Sequence, residues 1–133
     1  MNHDIECRGK RIDTGEWVYG FYLHCFDQNS DYILTGKIKN YQVDLTHPYI
    51  MTEGFEWFAI DYKTVSKFTG LLDRKGNKIF GDDIVLYKGI RCLVRWDKDK
   101  AGFFIGNDRY WMMNDISIEV IGNIHDNATL LED

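Results

Sequence analysis

The sequence predicts a mainly β protein of short antiparallel strands, with an N-terminal strand region packed on a C-terminal SH3-like small β-barrel. Three observations carry that expectation. Four Trp, eight Tyr and eight Phe in 133 residues favour a sheet, because flat rings pack well on a pleated surface. The apolar runs are short, alternate along the chain, and are separated by turns rich in Gly, Asp and Asn. No segment sustains a period of about 3.6 residues over roughly 11 positions, which argues against long helices.

Taken in order, residues 1–15 hold an extended segment, Ile5 to Ile12, that ends in a turn at Asp13-Thr14-Gly15. Glu16 to Phe26 is apolar at nearly every position. Trp17, Tyr19, Phe21 and Leu23 fall on one face and Val18, Tyr22 and His24 on the other, so both faces need cover and a central strand is expected. The polar loop Asp27 to Asp31 then joins it to a second strand, Tyr32 to Ile38, as a hairpin. From Lys39 to Gly54 the pattern breaks around the single proline, Pro48. A long connection is expected there, with one short strand near Tyr49 to Met51, followed by separate strands at Phe55 to Ile60 and Tyr62 to Phe68.

Asp73-Arg74-Lys75-Gly76-Asn77 reads as a turn with a mechanism, since Gly76 can take positive φ and Asp73 can accept backbone amides ahead of it. It joins Gly70-Leu71-Leu72 to Lys78-Ile79-Phe80. Gly81-Asp82-Asp83 is a second turn into the strand Ile84 to Tyr87, and Lys88-Gly89 closes a hairpin onto Ile90 to Trp96. The charged turn Asp97 to Lys100 leads to strands at Gly102 to Ile105 and Tyr110 to Met113. A last strand is expected at Ile116 to Ile121, and Asn127 is placed to cap one helical turn, Ala128 to Leu131. The expected organisation is an N-terminal β region at 1–66 with the long middle connection, and a barrel region at 67–133, together one compact unit at this length.

Net charge is -5 with a pI near 5.3, so phosphate backbones repel the molecule unless its bases are gathered together. The first eight residues carry charges where a secretory signal needs an apolar run, and no stretch approaches the roughly 18 apolar residues of a membrane span. A soluble, cytoplasmic protein is expected. Cys7, Cys25 and Cys92 are odd in number, far apart and without a C-x-x-C pair, so free thiols are expected and neither a disulfide framework nor a zinc cluster.

The phrase T-G-L-L-D-R-K-G-N-K-I-F-G-D-D-I-V at 69–85, with V-R-W-D at 94–97, G-F-F at 102–104 and the ending I-E-V-I-G-N-I-H-D-N-A-T-L-L at 118–131, resembles the YopX family of phage and prophage proteins. R-G-K-R-I-D-T-G-E-W-V-Y-G at 8–20 is similar to N-terminal segments of its longer members. The resemblance is specific over 67–131 and looser over 5–24, and it names no motif over 25–62. Gly81 and Ala128-Thr129 depart from the family pattern at turn and tail positions, which bears on local geometry. The resemblance implies a small, mostly β, cytoplasmic protein of phage origin without an established enzymatic activity.

No catalytic residues, cofactor or metal are assigned. Asp82-Asp83 and the pair Asp97 and Asp99 are carboxylates in turns, where backbone amides are the expected partners; a metal site needs more ligands, and hydrolysis needs carboxylates converging on one bond. His3, His24, His47 and His125 are scattered. His24 and Cys25 are adjacent on a strand and point apart, which opposes a nucleophile–base pair. No G-x-G-x-x-G, P-loop or G-x-S-x-G occurs, so nucleotide-cofactor and α/β-hydrolase chemistry are disfavoured.

Two stretches are candidate binding surfaces. In Ile90 to Trp96, alternation sets Arg91, Leu93 and Arg95 on one face and Ile90, Cys92, Val94 and Trp96 on the other. With Lys88, Lys98 and Lys100 at its ends, this strand forms a local basic patch such as small barrels use on nucleic acid. The plainer alternative is a solvated face balanced by Asp97, Asp99 and Glu119. Tyr110, Trp111, Met112 and Met113 are residue types enriched in interface cores, which makes that strand a candidate partner or oligomer contact. The expectation is a phage-derived accessory protein that binds a host or phage protein, forms a homo-oligomer and does no catalysis. The alternative is a nucleic-acid-binding module using Arg91, Arg95 and the neighbouring lysines.

Overall fold

The structure, a computed structural model, describes residues 6–26, 29–42, 49–106, 110–111 and 117–132, with the backbone alone at 36–42, 49–55 and 110–111. The chain is mainly β, its strands pair antiparallel, and it divides into two units, Met1–Val65 and Ser66–Asp133.

The first unit holds β1 (Cys7–Arg11), β2 (Trp17–Cys25), β3 (Ser30–Gln42) and the larger part of β4 (Tyr49–Leu72). The β1–β2 turn closes where expected, with the amide of Gly15 donating to the Arg11 carbonyl at 2.9 Å. β2 lies between β1 and β3, registered Cys7 to Gly20 on one side and Phe21 to Leu34 on the other. β3 pairs in turn with β4, Leu34 opposite Trp57 and Tyr32 opposite Ala59. Cys7, Ile33 and Ile60 form the core of this unit, with Val18 and Val65 packed on it. Buried Thr64 ties β1 to β4, its hydroxyl accepting the Lys10 amide at 2.8 Å and donating to the Asp61 carbonyl at 2.7 Å.

Two expectations about the middle of the chain are corrected. β3 runs on to Gln42 and β4 starts at Tyr49, so the long irregular connection expected from Lys39 to Gly54 shrinks; residues 43–48 lie outside the described set. The separate strands expected at 55–60 and 62–68 are one strand of 24 residues. The physical reason is successive pairing: β4 follows β3 from Tyr49 to Ala59, with two irregularities near Gly36 and Lys39 absorbing the breaks in pattern, and it also pairs with β1 and, at Phe68 and Leu72, with β5.

The second unit begins with the end of β4 and continues through β5 (Lys78–Phe80), β6 (Asp83–Tyr87), β7 (Ile90–Asp97), β8 (Gly102–Ile105), β9 (Tyr110–Trp111) and β10 (Glu119–Asn123). It ends in α1 (Ile124–Asn127) and a 3-10 turn, Ala128–Leu131. β4 and β5 make a hairpin about the Asp73 turn, with Phe68 opposite Phe80 and Leu72 opposite Lys78. The other strands form a sheet in the order β10-β6-β7-β8-β9. Its core is Ile79, Val85, Val94, Ile105 and Ile118, flanked by Leu71, Tyr87, Cys92, Phe103 and Val120.

The Asp73 turn forms as its residues dictate. Asp73 Oδ1 accepts the amides of Lys75 at 2.9 Å and Asn77 at 2.8 Å, and Gly76 takes φ 84°. At the β6–β7 hairpin both central residues, Lys88 and Gly89, have positive φ, the backbone twist that two-residue hairpins prefer. In the acidic turn the roles differ from those expected. It is Asp83, fully buried, whose carboxylate accepts the Phe80 amide at 2.8 Å. Asp82 takes φ 67° and its carboxylate meets His125 Nε2 at 3.1 Å.

The last strand is shifted from its expected place to Glu119–Asn123, because it follows β6 with an irregularity at Ile121 and ends where Asn123 faces Asp83. That moves the cap. Asn123, not Asn127, is the capping side chain, accepting the amides of His125 at 3.0 Å and Asp126 at 2.9 Å. Asn127 stands before the 3-10 turn without a side-chain capping bond, and its Oδ1 accepts the Asn123 amide at 3.2 Å.

Candidate functional site

β7 is the best-defined candidate surface, and its side chains are sorted by the core beneath it. Val94 is fully buried and Cys92 packs beside it, so the even positions face inward. Arg91 and Arg95 stand exposed on the other side. The core ends at Val94, however, so the inward-facing residues at both ends of the strand, Ile90 and Trp96, are more than half exposed.

The basic residues divide between the two ends of β7. At one end, Lys88 sits in the hairpin with its Nζ 5.1 Å from the Tyr87 ring, and Arg91 donates from Nη1 to the Leu130 carbonyl at 3.2 Å. At the other end, Arg95 faces Phe104 across the β7–β8 register, while Lys98 and Lys100 occupy the exposed turn. Lys100 Nζ lies 5.5 Å from the ring of Phe104. Arg95, Trp96, Lys98, Phe104 and the Asp97 and Asp99 side chains border an open hollow of about 500 Å³.

Trp96 is held by its neighbours. It stands opposite Phe103 in the β8 register, and the two rings meet edge to face with centroids 5.0 Å apart. Lys67, from the last part of β4, places its ammonium 6.0 Å from the indole centroid. Nothing local in the sequence signals this pairing of residues far apart in the chain.

The acids expected to balance the arginines are occupied in other ways. Glu119 bridges Arg74 at 3.1 Å and Lys75 at 2.7 Å, and the Lys75 hydrogen bond chiefly holds its carboxyl below the usual range. Asp97 Oδ1 accepts the amides of Asp99 at 2.9 Å and Lys100 at 3.3 Å, so its carboxylate shapes the turn. Burial pushes the Cys92 thiol up, away from the reactive thiolate.

The second candidate strand is described only in part. β9 is Tyr110–Trp111, with Tyr110 opposite Ile105 and Trp111 opposite Phe104; Met112 and Met113 lie outside the described residues.

The first unit carries a surface that the sequence reading passed over. Register places Phe21, Leu34 and Trp57 in one cross-strand row and Leu23, Tyr32 and Ala59 in the next, all on the face opposite Ile33 and Ile60. Tyr32 and Trp57 meet edge to face at 5.8 Å, while Leu23 and Trp57 remain 43% and 49% exposed. The signal was present in the apolar run from Trp17 to Leu23, which implied cover on both faces; on this face Leu34 is buried and Phe21 and Tyr32 are half-buried, while Leu23 and Trp57 are left about half exposed. On the margin of the same hairpin, the Tyr22 hydroxyl donates to Asp31, and His24 Nδ1 lies 2.8 Å from the same carboxylate oxygen.

Among the described residues no group of three or more His, Cys, Asp and Glu could hold a metal ion, and no helix is long and apolar enough to cross a membrane.

The fold thus defines a small, mainly β protein of two antiparallel units. The profile of the YopX protein family matches residues 8–132, and the chain belongs to that family. No curated protein sequence matches it. Among solved structures, it is similar to protein EF1440 from Enterococcus faecalis, with 20% sequence identity and a TM-score of 0.58 over 97% of this chain and 99% of that one. At that identity the likeness is one of fold.

Proposed function

We propose that the chain is a phage-derived accessory protein that acts in the cytoplasm by binding another protein, with a second copy of itself as one partner, and that it performs no catalysis. The observation that carries this reading is the apolar outer face of β2, β3 and β4, where Leu23 and Trp57 are half exposed beside Phe21, Tyr32 and Leu34. Contiguous apolar faces of this kind mark interaction sites on soluble proteins. The phage origin and the compartment are what the resemblance to phage and prophage proteins of this family implies. Binding is preferred to catalysis because the two described imidazoles and four of the described carboxylates are engaged within the fold: Asp73 and Asp83 hold backbone amides, and His24 and His125 sit on Asp31 and Asp82.

The second unit reads as an SH3-like small barrel. In the order β10-β6-β7-β8-β9 the last strand lies beside the first, the arrangement that lets a five-stranded meander curl toward closure.

Light scattering on the wild type and on a Leu23→Lys, Trp57→Lys variant tests the proposal. The expected result is a mass above one chain for the wild type, falling to one chain in a variant whose circular dichroism is unchanged. A single-chain mass for both, together with capture from host lysate that the variant does not diminish, overturns it.

A further inference from the structure

We infer that the β7–β8 end of the second unit is a site for single-stranded nucleic acid, with Trp96 as the base-stacking platform and Lys67, Arg95, Lys98 and Lys100 as the phosphate partners. This assignment uses a different surface from the protein-partner reading and stands apart from it.

Charge is the first argument. Residues 88–100 hold five bases and two acids in a chain whose net charge is -5. Of those acids, Asp97 is turned onto the amides of Asp99 and Lys100. Arg95 and Lys98 make no hydrogen bond or ion pair among the described residues, whereas Arg91 is engaged with the Leu130 carbonyl. Arg95, Lys98 and Lys100 stand at this end of β7 with Asp97 and Asp99 between them, and Lys67 beside Trp96 adds a fourth base, so the bases outnumber the acids there, the gathering that an acidic protein needs in order to hold a phosphate chain.

The second argument is the ring. Trp96 is 55% exposed although it belongs to the inward face of its strand, and Phe103, packed on the core, braces its edge at 5.0 Å. A half-exposed indole with a cation beside it is the element that single-strand binders use, since every base offers a π-face and its phosphate then falls near a neighbouring ammonium or guanidinium. Lys67 at 6.0 Å from the indole supplies one such cation, and Arg95 and Lys98 border the adjoining open hollow together with Asp97 and Asp99.

A single strand fits better than a duplex. Stacking on Trp96 requires a base free of its own stack, while reading a major groove needs an inserted helix or two-stranded ribbon. The α-helix among the described residues is four residues long, and β7 and β8 are interior strands of their sheet, flanked by β6 and β9, so neither a helix nor a free ribbon is presented here.

The test is fluorescence anisotropy with labelled oligothymidylate and oligouridylate, starting at about 50 mM salt, with a duplex, heparin and polyglutamate as comparisons. Expected is binding to either single strand with a log–log salt slope between about -2 and -3, as four cations at roughly 0.7 each imply. The two strands tell DNA from RNA, and tighter binding of one assigns the sugar. Trp96→Ala should weaken binding about tenfold with little change in slope, since stacking of that order is insensitive to salt. Trp96→Phe should restore most of it. An Arg95→Gln, Lys98→Gln variant should flatten the slope by roughly 1.4. No binding at low salt, equal binding of heparin or polyglutamate with no effect of Trp96→Ala, or a preference for the duplex would each overturn the assignment.

Discussion

The carboxylate of Asp73 accepts the backbone amide of Val120 at 3.0 Å, across 47 residues of chain. The turn that opens the second unit and the strand that closes it thereby share one buried anion. The neighbouring amide of Arg74 donates to the Ile118 carbonyl at 2.9 Å, and Arg74 and Lys75 both reach Glu119. Two phrases that look independent in the sequence, at 69–85 and 118–131, are therefore one piece of structure, which is why both are dominated by Gly, Asp and apolar residues.

Asp73→Ala should consequently cost far more than a turn substitution ordinarily does. Asp73 is 6% exposed, and its carboxylate accepts the amides of Lys75, Asn77 and Val120, with the Asn77 side chain in addition. Hydrogen bonds to charged groups contribute about 1.5–3 kcal/mol each and do not add fully, so a loss of about 3 kcal/mol is expected. Urea unfolding checks this. A midpoint within experimental error of the wild type would show that the turn and β10 do not depend on the shared anion.

Stability should also fall in acid, with a sign fixed by the same residue. Burial alone would raise the Asp73 pKa, but the amides of Val120, Asn77 and Lys75 together outweigh it and hold the carboxyl below its ordinary value. Asp31, bonded first by Tyr22 and then by His24, is lowered too. A depressed folded-state pKa means stability that is present above the unfolded value near 3.9 and lost as pH falls through the folded one. Urea midpoints taken from about pH 7 to about pH 2 should decline below about pH 4, and less steeply in Asp73→Asn. Equal slopes would assign the acid sensitivity elsewhere.

At the alkaline end the relevant group is Tyr22. Its hydroxyl donates to Asp31, and that bond first, then burial and the nearby negative charge, push its pKa up to about 12. A raised folded-state pKa contributes stability below the ordinary value near 10 that is lost as pH rises toward the folded one. The tyrosinate absorbance of wild type minus Tyr22→Phe should therefore titrate near the top of that range, and Asp31→Asn should move it back toward 10. A difference curve centred on 10 in the wild type would show that the hydrogen bond does not persist in solution.

Much of this architecture was legible because it is locally determined. Asp73 and Gly76 specify their turn through an acceptor and a positive φ, and alternation along β7 sets Arg91 and Arg95 opposite Val94. What was not legible depends on register and on where the core stops. Asn123 and Asn127 are equally good caps in sequence, and the choice falls to Asn123 only because β10 ends opposite Asp83. The length of β4 is fixed by its pairing with β3, β1 and β5, which local pattern does not encode. Trp96 shares the parity of Val94, yet it is exposed because the core does not extend so far, and Lys67 reaches it through the fold alone.

Gly20 provides the sharpest test of the first unit, since its role is close approach. A Cβ built on it would lie 2.1 Å from the Leu34 carbonyl oxygen and 2.9 Å from the Leu34 carbonyl carbon, both backbone atoms that cannot turn aside. Gly20 is the point where β2 passes from pairing with β1, at Cys7, to pairing with β3, where Phe21 meets Leu34. Any added side chain must push the β2–β3 ladder apart beside the core residue Ile33. Gly20→Ala should then destabilise by at least about 3 kcal/mol, in the range of overpacked or strained sites. Gly15→Ala serves as the comparison: nothing lies within 4 Å of its Cβ, so the cost is confined to its φ of 74° and should be about 1–2 kcal/mol. Hydrogen exchange across β2 and β3 locates the effect. If Gly20→Ala unfolds at the same urea concentration as Gly15→Ala and leaves those amides protected, the close packing of β2 on β3 is refuted.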